Sequence, residues 1–471
     1  MRTVALQNLG CKVNSYEMDV IAQNLKDRGF KIVPFHEKAD IYIINTCTVT
    51  NIADRKSRQM LHQAKKRNPD AVVVAAGCYV QTGTEQVLND AGIDLAIGNN
   101  KKKDLVDILE AFLQEKSAAT EPDFVPDKTM NDTSVIDINA TFEYEEMRLT
   151  HTAEHTRAYI KVQDGCNQFC TYCIIPFARG RVRSRSLDSI FAEVTGLAQA
   201  GYKEIVLTGI HISSYGIDFE DEPWAEGKCV EKEQTKERHD YSGSTKLIDL
   251  IERIHDIEGI ERIRIGSLEP RIVTRENAYR LAALSKICPH FHLSLQSGCD
   301  SVLKRMNRKY TAAEFKESVG FLREAFVNPA ITTDVIVGFP GETEDEFAET
   351  KQYLDDISLY EMHIFKYSMR KGTVAATRKD QVPEAVKGMR SNVLLTMELE
   401  KSKAFRTLFV GTTQDVLFEE QKVIGGKAYM LGHTREYVKV AIECENDLGN
   451  QILKVALTGF LQDDILIGES L

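Results

Sequence analysis

Residues 164 to 173 read DGCNQFCTYC, which sets Cys166, Cys170 and Cys173 in a C-x3-C-x2-C run. Thiolates suit soft metals, but a closed tetrahedral zinc site takes four ligands and most protein iron–sulfur clusters take four cysteines. Three thiolates can hold a four-iron, four-sulfur cube at three corners and leave one iron open. That vacancy implies a small molecule that coordinates there. A zinc site or an accidental grouping is the alternative, and the elements around the run weigh against it.

A second set of cysteines shares a different pattern. VALQNLGC ends at Cys11, IYIINTC at Cys47 and VVVAAGC at Cys78: each is a short apolar run, a Gly or Asn turn, then the thiol. A lone cysteine is commonly a core residue. Three at equivalent strand ends point instead to a shared metal site, and their wide separation excludes a zinc ribbon or knuckle, whose ligands come in close pairs. Cys288, Cys299 and Cys444 match no such pattern and read as structural.

The elements that must position these residues are legible in the periodicity. Helical segments near Tyr16 to Arg28 and Asp54 to Arg67, closed by Gly29 and by Asn68-Pro69, alternate with the apolar runs. Such alternation predicts a parallel sheet with right-handed crossovers and ligands beyond the carboxyl ends of the strands. All three cysteines fall there. We assign residues 1–115 to this open α/β domain and 116–150, rich in Ser, Thr, Asp, Glu and Pro, to a linker.

The alternation resumes over residues 151–400, with AYIKV, EIVLTG, RIRIGS, FHLSLQ, TTDVIVGF and EMHIFKYS as strands. Helical segments such as Leu187 to Ala200, Lys246 to Ile257 and Ala312 to Ala325 separate them. Six such units predict a partial or complete parallel barrel whose site lies at the carboxyl ends of the strands. The DGC run follows the first of them. A charged, aperiodic insertion at 217–245, holding Trp224 and Cys229, reads as a surface loop. Residues 401–471 carry glycine-punctuated short strands and predict a small antiparallel, OB-like β-barrel, a fold that often binds nucleic acid.

Composition bounds the setting. A chain of 471 residues is too long for one core, and 43% hydrophobic with 27% charged residues is ordinary for a soluble globular protein. No run of about 18 apolar residues and no leader-like h-region occurs, so no membrane partner and a cytoplasmic location are expected. Ten cysteines in such a chain suggest reduced thiols for metal or redox work. The net charge of −11 argues weakly against nucleic acid, yet the basic residues are clustered. Arg55, Lys56, Arg58, Lys65, Lys66 and Arg67 crowd one predicted helix, as a solvated face or a binding face. Arg179, Arg181, Arg183 and Arg185 alternate just after the cysteine run.

The C-x3-C-x2-C run, with Tyr172 just before its last cysteine, resembles the radical S-adenosylmethionine superfamily. The resemblance implies that the methionine moiety of S-adenosylmethionine chelates the open iron, and that one electron then releases a 5′-deoxyadenosyl radical. It also carries over Gly209, Glu269, Ser294, Gln296, Asp334 and Gly338, at later strand ends, as cofactor-binding residues. Turn formation is the competing reading for the glycines.

NLGCKVNSYE, NTCTVT, AAGCYVQ and DGCNQFCTYCIIPFARGRVRSR together resemble the methylthiotransferases, over nearly the whole chain. That resemblance implies a second [4Fe-4S] cluster on Cys11, Cys47 and Cys78 that supplies or carries sulfur, and a terminal TRAM domain. Its members modify adenosine beside the transfer RNA anticodon or an aspartate of a ribosomal protein. IIPFARGRVRSRS looks most like the branch that acts on N6-threonylcarbamoyladenosine. A carboxylate-bearing substituent also suits arginine, where isopentenyl is apolar. Isopentenyladenosine ranks second and the ribosomal protein third. Arg179, Arg181, Arg183 and Arg185 are therefore expected to meet the nucleoside or backbone phosphate. The implied partners are the anticodon stem-loop and an electron donor such as a flavodoxin or ferredoxin. A non-enzymatic iron–sulfur RNA-binding sensor is the reading from another class, and product formation separates the two.

Overall fold

The computed structural model describes residues 1–90, 92–118, 135–150, 156–219 and 246–471. Residues 119–134 of the expected linker, and 220–245 of the insertion, with Trp224 and Cys229, lie outside them.

In the N-terminal region β1 (Thr3–Asn8), β2 (Lys31–Val33), β3 (Ile41–Thr46), β4 (Val72–Gly77) and β5 (Leu95–Ile97) form one parallel sheet, ordered β2-β1-β3-β4-β5. Every residue of β3 and β4 is buried, which is why IYIINT and VVVAAG read as continuous apolar runs rather than alternating ones. The basic helix is Asn51–Arg67; Thr50 caps it by accepting from the Ala53 N–H, and Lys65, Lys66 and Arg67 occupy the last turn, where the helix dipole favours cations.

The central region contains β6 (Arg157–Asp164), β7 (Arg183–Ser184), β8 (Glu204–Gly209), β9 (Arg262–Ile265), β10 (His290–His292), β11 (Ala330–Val337) and β12 (Glu361–Lys366). Two ladders, β7-β6-β8-β9 and β10-β11-β12, are stitched by the bridges Ile263–Ile287 and Leu268–Leu293. Apart from the short antiparallel β7, the strands run parallel in the order β6-β8-β9-β10-β11-β12, a partial barrel. Ile160, Ile205, Ile263, Phe291, Val335 and Met362 pack into the apolar core on one face. The period of two then puts Arg157, Lys161, Glu204, Arg264, His292 and Asp334 on the other, inner face. The lumen is therefore polar and charged.

A single apolar core joins the first two regions. Helix Lys12–Asp27 packs on β6 and β8, and its Tyr16, Ile21 and Leu25 share one cluster with Ile160 and Leu207.

Helix Glu384–Thr407, not anticipated from sequence, leads into the last region, so the 400/401 boundary falls inside it. β13 (Thr413–Ile424), β14 (Lys427–His433), β15 (Lys439–Glu443), β16 (Ile452–Gln462) and β17 (Ile465–Ser470) close into a barrel. It is antiparallel except for the β15–β17 pair. This barrel docks under the central one: Arg262 donates to the carbonyls of His433 and Asp415 at 3.0 and 2.7 Å, and Arg264 to that of Arg435 at 3.1 Å. The lumen thus has a floor. No described helix is long and apolar enough to cross a membrane.

Candidate functional site

The C-x3-C-x2-C run leaves β6 through Asp164 and Gly165. Gly165 has φ +73°, and a Cβ there would stand 1.8 Å from the Arg181 carbonyl oxygen, so only glycine lets the loop fold back on the arginine stretch. The Cys166 N–H donates to the Gly180 carbonyl at 3.0 Å, and the Cys173 N–H to that of Cys170 at 2.9 Å. Burial pushes the Cys173 thiol up to about 12 and that of Cys166 higher, with each thiol's neighbours adding repulsion. Arg308 donates to the Cys170 Sγ at 3.3 Å.

The second triad is built by three neighbouring strands. Cys11 caps helix Lys12–Asp27 after β1, Cys47 follows β3, and Cys78 opens a short helix after β4. A Cβ on Gly10, φ +107°, would touch the Cys47 Sγ at 3.0 Å. Burial pushes the Cys47 thiol up to about 11, with Cys78 and Cys11 both adding repulsion, and burial also raises Cys11. The Cys78 Sγ accepts from Arg179 Nε at 3.3 Å and from Asn99 Nδ2 at 3.5 Å.

Both triads suit an iron–sulfur cluster by the same test. Three thiolates held close together repel one another, and a cationic cluster core among them offsets that repulsion. Each triad supplies three sulfurs and an arginine directed at one of them.

The arginine expectation needs correction. Arg179, Arg183 and Arg185 are fully buried. Arg179 bonds Glu17 at 2.5 Å and Asn14 at 2.5 Å and lies 3.2 Å from Asp164. Arg183 donates to the carbonyls of Arg179 and Arg181 at 2.9 and 3.2 Å. Arg185 pairs with Glu193 and reaches Ser189 and Tyr16 at 3.0 and 3.3 Å. At least one of these guanidiniums is expected to face the nucleoside and others backbone phosphate, yet Arg179, at the end of the short helix Ile175–Arg179, Arg183, on β7, and Arg185 turn into buried contacts within the protein. Only Arg181 is partly exposed, its guanidinium 4.5 Å from the Phe169 ring.

The junction is a buried charge network. Burial opposes ionisation of Glu17, but Arg179, Lys102 and Lys161 hold it well below the usual carboxylate range. Asp164 is likewise disfavoured by burial, yet Arg179, Lys161 and Arg183 hold it down to about 2. Glu17 lies on the helix that Cys11 caps, and Asp164 precedes Cys166 by two residues, so the network ties both triads together.

The remaining sequence-derived residues fall at the barrel rim and inner face with mixed outcomes. Tyr172 packs edge-on to Phe339. Gly209 ends β8, where a Cβ would come within 2.9 Å of the Gln163 side-chain oxygen, so close approach rather than a turn favours glycine there. Gly338, φ +70°, is a turn glycine against Lys387. Glu269 is buried and bonded to Arg271 at 2.6 Å, with His211 at 3.9 Å. The Ser294 hydroxyl meets that of Ser267 at 2.9 Å, and Gln296, φ 73°, bridges to β11 through its backbone. Asp334 sits between His292 and His363, the three ligand atoms lying within 4.8 Å of one another. Arg308, Glu17 and these histidines escaped the sequence reading, because their roles arise from strand register and domain packing rather than local spacing.

Residues 160–354 match the radical SAM superfamily and residues 3–98 the uncharacterized protein family UPF0004. The chain is 38% identical to the threonylcarbamoyladenosine tRNA methylthiotransferase MtaB of Bacillus subtilis, over 97% of this chain and 94% of the relative. It belongs to the radical S-adenosylmethionine methylthiotransferases. A tRNA-2-methylthio-N(6)-dimethylallyladenosine synthase of Opitutus terrae is 32% identical over 97% of this chain and 95% of its own length. In fold, the radical S-adenosylmethionine methyltransferase TsrM of Kitasatospora setae superposes with a TM-score of 0.53 at 16% identity, covering 80% of this chain and 77% of that one. As a member of this family the chain works with an iron–sulfur cluster and S-adenosylmethionine.

Proposed function

We propose that this enzyme converts N6-threonylcarbamoyladenosine beside the transfer RNA anticodon to its 2-methylthio derivative, using two [4Fe-4S] clusters. The observation that carries the reading is the pair of three-cysteine sites linked through Arg179. When bound, the clusters and S-adenosylmethionine supply the radical that takes hydrogen from an unreactive aromatic C–H carbon, and the methylated sulfur that replaces it. Cys166, Cys170 and Cys173 would hold the first cluster, and Cys11, Cys47 and Cys78 the second. Glu17, Asp164 and Arg179 keep the two loops in register, while Arg308 and Arg179 each place a positive charge against one ligand sulfur.

The threonylcarbamoyl preference is supported by relatives of that name at 38% and 37% identity, against 32% and 34% for dimethylallyladenosine synthases of Opitutus terrae and Thermoanaerobacter sp.. The terminal barrel serves as a second RNA contact, and a flavodoxin or ferredoxin as electron donor. Mass spectrometry of transfer RNA nucleosides from cells lacking this protein tests the reading. Threonylcarbamoyladenosine should accumulate while its methylthio form disappears; an unchanged methylthio peak would refute the assignment.

A further inference from the structure

Away from the two cysteine triads, a further group of metal-ligating side chains converges on three neighbouring strands of the central barrel. His292 ends β10, Asp334 lies on β11 and His363 on β12. Asp334 pairs directly with His363 across the ladder, so the period of two sends both side chains to the same face. His292 stands opposite Thr332, two residues before Asp334, and so joins that face. One ligand atom from each of His292, Asp334 and His363 lies within 4.8 Å of the other two. The His292 Nε2 is 3.4 Å from the Asp334 Oδ2, and the two imidazole rings stack with centroids 5.7 Å apart.

Their other contacts leave the group open. Among the described residues neither the Asp334 carboxylate nor the His363 ring makes a hydrogen bond. The Nδ1 of His292 lies 2.9 Å from the hydroxyl of the buried Thr332. When Nδ1 carries the ring proton and donates it there, Nε2 keeps its lone pair and turns it toward Asp334, which is how an outer hydrogen bond orients a metal-binding histidine. Bonds of about 2.1 Å to a common ion place its donors about 3–4 Å apart. His292 and Asp334 already stand at that spacing, and His363, exposed on the last strand of the barrel, closes on them by side-chain rotation. Two imidazoles and one carboxylate suit a divalent transition metal, whereas magnesium and calcium prefer oxygen donors throughout. Three protein ligands also leave coordination positions free, unlike a closed structural site.

We propose that His292, Asp334 and His363 bind one divalent transition-metal ion in the barrel lumen, separate from both cysteine triads and with positions open to a further ligand. This gives Asp334 a partner other than S-adenosylmethionine. The inference goes beyond the methylthiotransferase reading and does not depend on which modified adenosine is the substrate. A metal-free pairing of His292 with Asp334 is the competing arrangement, and it provides no site for an ion.

The test adds Mn(II) to anaerobically reconstituted enzyme that has been washed with chelator and desalted. Free Mn(II) is counted by electron paramagnetic resonance at room temperature, where the clusters give no signal, and iron is measured in every sample. The enzyme should take up about one Mn(II) per chain, released by equimolar Zn(II) but not by about a tenfold excess of Mg(II). His363→Gln, at an exposed position, and Asp334→Asn should each weaken Mn(II) binding at least about 10-fold, since loss of an outer partner alone costs that much, and iron content should stay the same. Absence of saturable Mn(II) uptake, unchanged affinity in either variant, or release by Mg(II) would overturn the proposal. A variant that loses Mn(II) only together with iron would place the ion at the clusters and overturn it as well.

Discussion

Arg179, six residues beyond the last cysteine of the C-x3-C-x2-C run, places its Nε 3.3 Å from the Sγ of Cys78 in the other domain. The same guanidinium holds Glu17, on the helix capped by Cys11. One side chain therefore touches a ligand of the second triad and the buried carboxylate that anchors it. This contact adds to the shared apolar core and the buried charge network that hold the two sites at a fixed spacing.

Replacing Arg179 with Met should lower the reduction potential of the cluster on Cys11, Cys47 and Cys78, because a positive charge leaves one of its sulfurs. Lys at the same position should restore part of the shift. Potentiometric titration followed by electron paramagnetic resonance reads this directly; equal potentials in all three proteins would show that Arg179 serves only the Glu17 network.

Anaerobic reconstitution should load roughly eight irons per chain, and changing either cysteine triad to Ala should leave about half. Loss of Cys166, Cys170 and Cys173 should abolish 5′-deoxyadenosine formation. Loss of Cys11, Cys47 and Cys78 should spare it and stop sulfur insertion. Normal methylthio product from the latter variant would refute the division of labour.

The Arg185–Glu193 pair tests the junction itself. Arg185→Met leaves Glu193 buried with Tyr16 and the Leu149 N–H as remaining partners. Breaking one side of a buried pair costs about 3–5 kcal/mol. Adding Glu193→Gln should recover much of the loss in urea unfolding. Additive effects of the two substitutions would mean that they do not interact.

Acidification should destabilise the protein through its buried histidines. Burial holds His211 down to about 4, and burial also lowers His290 and His433. Between an unfolded value of about 6.5 and the lower folded values, the unfolded chain binds more protons, so stability falls as pH drops. It is fully present above that window. Urea midpoints measured from pH 7.5 to 4.5 should decline, and His211→Gln should flatten part of the slope if its ring remains neutral when folded.

Strand-and-helix alternation and the cysteine runs were readable because they are local: EIVLTG matches β8 and Ala312–Ala325 matches a helix residue for residue. Three-residue strands β2 and β5 were not, since so short a segment shows no period. The arginines illustrate the limit best. Their alternation was visible, but whether Arg179 faces solvent or Glu17 depends on how a helix 160 residues earlier packs on β6, and no local pattern encodes that.

The most direct measurement supplies purified, reconstituted enzyme with transfer RNAs bearing threonylcarbamoyladenosine or isopentenyladenosine in the same tube, and follows both nucleosides by mass spectrometry. The account predicts methylthiolation of the threonylcarbamoylated RNA, with little of the other. Product from the isopentenylated RNA alone would contradict it.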